Sequence, residues 1–436
     1  MKEVDFLSRN IRKITLGAAA VLLSASLLNG APVAAAESKT PVIQKEAVQT
    51  EAASPFRIVA IGDSLTAGYE FEFTEQSIPY GYVERIYEQA LFHGRAQYVN
   101  YGLLGLKSEG LKNWLEAAQI GTSPAAADIA GADKDPRAAA LLAQTGALRS
   151  NLEQADLVVL TIGGNDFSDI ITIARNPDAD LEEWSSNKFT SYTAALEASL
   201  RTIHSIAPNA RIVVSDVYSP VPNLAIVGVS QVQYDQIQKY VGQATKQIDG
   251  VIAKLTSEGV KAEVAHSAEK FSLREQSLTW ILKKDIHPNQ DGYAVIGKAF
   301  ADTIWNEYRT PLPRAEDVGI SVIVNGKEVV TPFKPVLKAN RTYLAFRDIA
   351  DAMGAETKWD NKAKAVTITL GSNTVELAVG ATTMLVNGKS VNIDTPAFLH
   401  HVGKEQKIYV PLAVLADGLD YQVEYRSTLK TAFINR

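Results

Sequence analysis

Arg57-Ile58-Val59-Ala60-Ile61-Gly62-Asp63-Ser64-Leu65-Thr66-Ala67-Gly68-Tyr69 is an apolar run that stops at a cluster of small, polar, turn-forming residues. The run reads as a short buried strand, and the cluster as a turn that presents one hydroxyl at the strand's C-terminal end. Gly62 permits a tight turn and close backbone approach. Asp63-Ser64 can cap a following helix, which places the Ser64 hydroxyl and N–H at an expected helix N-terminus. A nucleophile whose product is an oxyanion suits that position. An N-cap with no chemical role fits the same residues, so the decision rests on partners further along the chain.

From Phe56 onward, apolar runs alternate with helical patterns: Ile58–Ile61 then Tyr82–Leu91, Tyr98–Val99 then Leu111–Ala118, Leu157–Ile162 then Tyr192–Ile206, Ile212–Val214 then Val232–Leu255. A further strand is expected at Val260–Val264, and a last helix from about Gln290 to Tyr308. This alternation predicts a parallel sheet with helices on both faces. Ligands of such sheets bind beyond the carboxyl ends of the strands. The first strand ends at Ser64, the second at Asn100-Tyr101-Gly102-Leu103-Leu104-Gly105, and the third at Gly163-Gly164-Asn165-Asp166. Each cluster alone has a plain explanation as turn glycines or Asx caps, but all three converge on one sheet edge. Residues 120–150 read as an insertion that either walls a substrate cleft or acts as a spacer.

Histidine is scarce, with six in the chain. His93, His204 and His266 fit surface or packing roles, and His400-His401 are strand neighbours that point to opposite faces and so cannot chelate one metal. His287 stands in Asp285-Ile286-His287-Pro288-Asn289, a turn-rich loop ahead of the last helix. There it can supply the base that a serine nucleophile needs.

Composition narrows the classes. The 436 residues, 46% hydrophobic, suffice for two domains. A net charge of -6 without a polybasic tract argues against nucleic acid or an anionic membrane as partner. With no cysteine there is no disulfide framework, thiol nucleophile or thiolate metal site. Arg9, Arg12 and Lys13 precede an apolar run from Leu16 to Leu28, and Ala34-Ala35-Ala36 offers a cleavage site. Residues 1–36 therefore read as a secretory signal peptide, residues 37–55 as a linker, and the protein as secreted.

Gly62-Asp63-Ser64-Leu65, Gly105, Gly163-Gly164-Asn165-Asp166 and Asp285-Ile286-His287-Pro288-Asn289 resemble, in order and approximate spacing, the four blocks of the GDSL, or SGNH, hydrolases. The resemblance spans residues 56–308. It implies an α/β fold, a flavodoxin-like three-layer α/β/α hydrolase domain, that cleaves esters through a serine acyl-enzyme without cofactor or metal. Carried over by position, Ser64 is the nucleophile and gives its N–H to an oxyanion hole. Gly105 gives a second N–H, Asn165 a side-chain amide, and His287 is the base. The family's usual acid lies three residues before the histidine, where this chain has Lys284. Asp285, two residues before, is the candidate acid, with a backbone carbonyl as the alternative partner of His287.

Pro311-Leu312-Pro313 breaks the chain after the last helix, marking a linker over 309–318. Beyond it Ser321-Val322-Ile323-Val324-Asn325-Gly326-Lys327 recurs as Thr383-Met384-Leu385-Val386-Asn387-Gly388-Lys389. Ala350-Asp351-Ala352-Met353-Gly354 likewise recurs as Ala416-Asp417-Gly418-Leu419-Asp420. Each Asn-Gly reads as a hairpin turn, so residues 319–436 form a smaller α+β module of two repeats. The module is similar to the copper amine oxidase N-terminal-like domain, although no metal is expected in it. It is read as binding a cell wall or polysaccharide surface, or as serving structure alone. A chain ending near Pro313 is then expected to fold by itself.

The leading function is a secreted esterase or lipase-type hydrolase. The alternatives are a polysaccharide O-acetylesterase and a non-catalytic surface protein on a degenerate hydrolase fold. Phe71, Phe73, Tyr80 and Tyr82 either line an apolar acyl pocket or pack the first helix.

Overall fold

The computed structural model of the protein describes residues 53–74, 76–175, 180–224, 228–339 and 341–436. The expected signal peptide and all but the end of the linker after it lie outside these residues.

Strand β1 (Phe56–Gly62) carries Val, Ile and Ala without polar alternation, the pattern of a strand covered on both faces. It pairs in parallel with β2 (Ala96–Gly102) on one side and β3 (Leu157–Leu160) on the other. With β4 (Arg211–Ser215) and β5 (Ala262–Ala265) the strand order is β2-β1-β3-β4-β5, all parallel. That is a flavodoxin-like doubly wound sheet. Its order reverses at β1, so a crevice opens beyond the carboxyl ends of β1 and β3, where the Ser64 turn begins.

The helices of this region are α1 (Tyr82–His93), α2 (Ser108–Ile120), α3 (Ala138–Leu142), α4 (Thr145–Glu153), α5 (Ile170–Arg175), α6 (Leu181–Ile206), α7 (Gln231–Ser257), α8 (Ala268–Phe271), α9 (Glu275–Leu278) and α10 (Gln290–Trp305). One face of the sheet packs on α2, α6 and α7 through residues such as Trp114, Leu196 and Ile248. The other packs on α1 and α10, where Tyr82 stacks on Phe300 with ring centroids 4.7 Å apart.

Residues 120–150 are neither cleft wall nor spacer. They fold as short turns, α3 and α4, and brace the loop after β2. Asp135, held by Arg137, accepts from the Leu104 N–H at 2.8 Å, and Ala130 O accepts from Lys107 N at 3.1 Å. Only glycine fits at position 105 of this loop, where φ is +79 and a Cβ would meet Lys134 at 2.5 Å.

The C-terminal module is β-rich and duplicated. Its first repeat runs β6 (Ser321–Val324), β7 (Lys327–Glu328), β8 (Val336–Lys338), β9 (Arg341–Ala345), α11 (Phe346–Met353), β10 (Glu356–Asp360) and β11 (Ala365–Leu370). After the connecting β12 (Asn373–Ala378), the second runs β13 (Thr383–Val386), β14 (Lys389–Asn392), β15 (Phe398–Val402), β16 (Glu405–Pro411), α12 (Leu412–Gly418), β17 (Gln422–Arg426) and β18 (Thr431–Asn435). Both Asn-Gly pairs have φ > 0 at both residues, as a primed hairpin turn demands. The repeats interlock: β17 and β18 of the second share a sheet with β6 and β7 of the first, and β10 and β11 join β13 and β14 through β12.

The two regions share a core. Helix α1 is buried from Tyr82 to Phe92 on every side, because the sheet covers one face and the module the other. Phe433 meets Phe92 edge-on at 4.9 Å and, with Ile323, joins the cluster around Leu91 and Tyr293. Asn435 Nδ2 donates to Leu91 O and Gly94 O, both at 2.8 Å. Gln422 bonds both the N–H and the carbonyl of Ala96, at 2.9 and 2.7 Å, and so occupies part of the open edge of β2. Arg426 pairs at 3.1 Å with Glu88, which is 2% exposed. An independent unit ending near Pro313 does not fit these contacts.

Candidate active site

Gly62 ends β1 with φ +156, and a Cβ on it would lie 2.3 Å from Thr161 O. The chain can therefore turn hard against β3 only with glycine here. No helix follows, contrary to the sequence expectation. Residues 64–68 form successive turns, with Ala67 N donating to Asp63 O and Tyr69 N to Ser64 O. Asp63 below the turn is buried, and its Oδ1 accepts from Leu65 N at 3.0 Å and Thr161 Oγ1 at 2.8 Å. Burial nevertheless lifts its carboxyl to about 6.

Ser64 Oγ lies 2.8 Å from His287 Nε2, and His287 Nδ1 lies 2.7 Å from Asp285 Oδ1. The same carboxylate oxygen accepts from the His287 backbone N–H at 2.8 Å. Burial raises the Asp285 carboxyl, but the two hydrogen bonds from His287 outweigh it and hold the group below the ordinary carboxylate range. Lys284 adopts the left-handed conformation at φ +65 and is exposed, so the turn brings position 285 to the ring. Trp280 closes the loop by donating its N–H to His287 O at 2.9 Å. The Tyr69 ring lies 4.5 Å from the imidazole.

Asn165 lines the same pocket as Ser64 and His287, and its Nδ2 donates to Leu106 O at 3.1 Å. That bond ties it to the loop that carries Gly105. Among the described residues the N–H groups of Ser64 and Gly105 meet no protein acceptor. Asp166 accepts from the N–H and, at 2.6 Å, the Oγ of Ser108, which links the loops after β2 and β3. Sequence reading passed over Thr161, Ser108 and Asp135, whose isolated hydroxyls and carboxylate gave no signal until the loops came together. The arrangement provides a hydroxyl with a proton acceptor, a carboxylate behind that acceptor, and in the same pocket the free Ser64 N–H and the Asn165 amide, whereas Gly105 does not line that pocket and packs against Lys134 and Gly131. It can support acyl transfer.

From this point an apolar pocket runs between α6 and α7. Phe71, Phe73, Tyr80 and Tyr82 do not line it. Tyr82 is fully buried against Phe300, Tyr80 bonds Glu88 at 2.8 Å, and Phe71 and Phe73 face Trp280 and Tyr69. Among the described residues no cluster of side chains could hold a metal ion; His400 packs against Tyr409 while His401 reaches Gln406.

Residues 60–295, more than half of the chain, match the GDSL-like lipase/acylhydrolase family model. The chain belongs to this family. It is a hydrolase acting on ester bonds. Residues 323–434 match the copper amine oxidase N-terminal domain. No curated protein matches the chain. Solved structures similar to it include the lipase Lip_vut3 from a goat rumen metagenome, 15% identical with a TM-score of 0.41, over 58% of this GDSL-family chain and 100% of that one. A catalytic mutant of Axe2, an acetylxylan esterase from Geobacillus stearothermophilus, is 15% identical with a TM-score of 0.37, over 59% and 98%. A Clostridium thermocellum family 3 carbohydrate esterase is 16% identical with a TM-score of 0.34, over 57% and 94%.

Proposed function

We propose that the protein is a secreted serine esterase in which Ser64 is the nucleophile, His287 the general base and acid, and Asp285 the group that orients His287. The observation that carries this reading is the continuous series Ser64 Oγ, His287 Nε2, His287 Nδ1 and Asp285 Oδ1, with both gaps under 3 Å. His287 takes the Ser64 proton as Oγ attacks the ester carbonyl, and negative charge develops on the carbonyl oxygen. The Ser64 N–H and the Asn165 amide stabilise that charge more than they stabilise the neutral ester. His287 then protonates the departing alcohol, leaving an acyl group on Ser64. A water that gives its proton to His287 attacks the acyl carbon, and Ser64 recovers the proton as the acid leaves. Secretion is supported by the basic, apolar and Ala-Ala-Ala order of residues 9–36. The module's contacts with α1 favour a structural role.

A non-catalytic protein on this fold would not need a hydroxyl, an imidazole and a carboxylate in register. The test is hydrolysis of 4-nitrophenyl esters by Ser64→Ala beside wild type. Loss of activity with an unchanged unfolding midpoint supports the assignment, and near-wild-type turnover refutes it.

A further inference from the structure

The Ser64, His287 and Asp285 series joins two distant parts of the chain. Ser64 belongs to the turn after β1, and Asp285 and His287 to the loop between α9 and α10. Within that loop the Trp280 backbone is bonded to both partners of Ser64: its N–H donates to His287 O at 2.9 Å, and its carbonyl accepts from Asp285 N at 3.3 Å. Gln290, at the other end of the loop, opens α10. Both ends meet on a single side chain. Glu70 Oε2 accepts from Trp280 Nε1 at 3.3 Å, and Glu70 Oε1 accepts from Gln290 Nε2. Glu70 directly follows the turn of Ser64, in which Tyr69 N donates to Ser64 O at 3.0 Å and Tyr69 O accepts from the Tyr293 hydroxyl of α10 at 2.6 Å. The Gln290 amide can donate to Glu70 in only one orientation, and Arg85 enforces it. Arg85, 6% exposed, donates from Nη2 to Gln290 Oε1 at 2.9 Å and from Nη1 to Tyr80 O and Gly81 O. A guanidinium only donates, so it holds the amide oxygen and turns the amide NH2 toward the Glu70 carboxylate. Glu70, Trp280, Gln290 and Arg85 do not line the pocket that holds Ser64 and His287.

We propose that Glu70 is a positioning residue for ester hydrolysis: it straps both ends of the 280–290 segment to the Ser64 turn and so holds His287 Nε2 within reach of Ser64 Oγ. The proposal rests on the Ser64, His287 and Asp285 mechanism above and adds what keeps its two halves in register. Releasing one end of the strap lets the loop drift, and a displacement of about 1 Å at reacting groups can cost about 10²-fold in rate. Since Glu70 does not reach the pocket, the loss falls on kcat and leaves KM nearly unchanged.

The test compares full-length wild type, Glu70→Gln, Gln290→Glu and the double variant by steady-state hydrolysis of a 4-nitrophenyl ester, below the unfolding midpoint of each. Glu70→Gln sets an amide NH2 against either the Gln290 NH2 or the Trp280 N–H, and Gln290→Glu sets two carboxylates face to face. Each single variant should lower kcat roughly 10- to 100-fold with KM within about twofold. The double variant reverses the bond: the new amide at position 70 donates to the new carboxylate at position 290 and still accepts from Trp280, while Arg85 keeps its acceptor. Its kcat should return to within about threefold of wild type, a coupling that independent losses would not show. Wild-type kcat in both single variants, or a double variant no faster than the slower single one, would overturn the strap. So would a rise in KM that matches the fall in kcat, which would make Glu70 a substrate-binding group. Should a single variant fail to fold, Trp280→Phe removes only the indole N–H and keeps a ring against Phe71; it should lower kcat at unchanged KM, and wild-type kcat there would count against the strap. Hydrolysis surviving in Ser64→Ala would overturn the mechanism itself, whatever the Glu70 variants do.

Discussion

One oxygen of Asp285 receives both the backbone N–H and the Nδ1 of His287, at 2.8 and 2.7 Å. A carboxylate only two residues away in sequence can do this because the left-handed Lys284 turns the chain immediately before it. The same contact fixes the loop and the ring, leaving Nε2 toward Ser64.

Replacement of Asp285 by Asn should therefore cut kcat by up to about 10⁴, since an amide that donates to Nδ1 favours the wrong tautomer. Steady-state kinetics on a soluble nitrophenyl ester checks this. A kcat within a few-fold of wild type would reject Asp285 as the orienting group.

Asn165→Ala should lower kcat by about 10²–10³ with a smaller change in KM, the signature of a donor used in the transition state. The amide also holds Leu106 O, so the Gly105 loop loses one tie. Asn165→Asp, which keeps the shape but replaces the donor with an anion, should be as slow. A dominant rise in KM in both variants would assign Asn165 to substrate binding.

Asp63 makes stability depend on pH. Its carboxyl is raised from 3.8 to about 6 by burial, so the neutral form is favoured on folding. That contribution is fully present below 3.8 and is lost as pH rises through about 6. Asp63→Asn, which can still accept from Leu65 N and Thr161, should gain on wild type by roughly 2.4 kcal/mol between pH 4 and pH 7. Urea unfolding of both proteins at unit pH steps gives the difference. Parallel curves across that window would contradict it.

Arg426 should matter to stability although it lies in the module, far from Ser64 in sequence. Arg426→Met leaves Glu88 buried without its cation, which costs on the order of 3 kcal/mol. A chain ending at Pro313 also uncovers Phe92 and Leu91 and frees the edge of β2. Its thermal midpoint should fall well below that of the full chain, with nitrophenyl ester hydrolysis lost in parallel on warming. Equal midpoints would make the module an independent appendage.

The sequence was legible where chemistry and turn geometry coincide. Ser64, Asn165 and His287 stand at strand ends or in a loop among glycines and prolines, and few other residues compete for their roles. Asp285 was readable as a candidate because it is the one carboxylate in that loop. The pocket was not readable. Trp184, Phe189 and Tyr240 sit on amphipathic helices at the same spacing as core residues, so nothing separates a pocket wall from a packed interior. Phe71 and Tyr82 drew attention only by standing close to Ser64 in the chain. The docking of the module was hidden too: Gln422, Arg426 and Asn435 are polar strand residues whose types and spacing mark no partner, yet they bond Ala96, Glu88 and Leu91.

The identity of the nucleophile is tested most directly by covalent trapping. The full-length protein is treated with an alkyl fluorophosphonate, which phosphonylates an activated serine, and the adduct is located by peptide mass spectrometry. The account predicts one adduct, on Ser64, appearing in step with loss of esterase activity and absent from His287→Ala. Stoichiometric labelling at another residue, or full activity with Ser64 labelled, would contradict it.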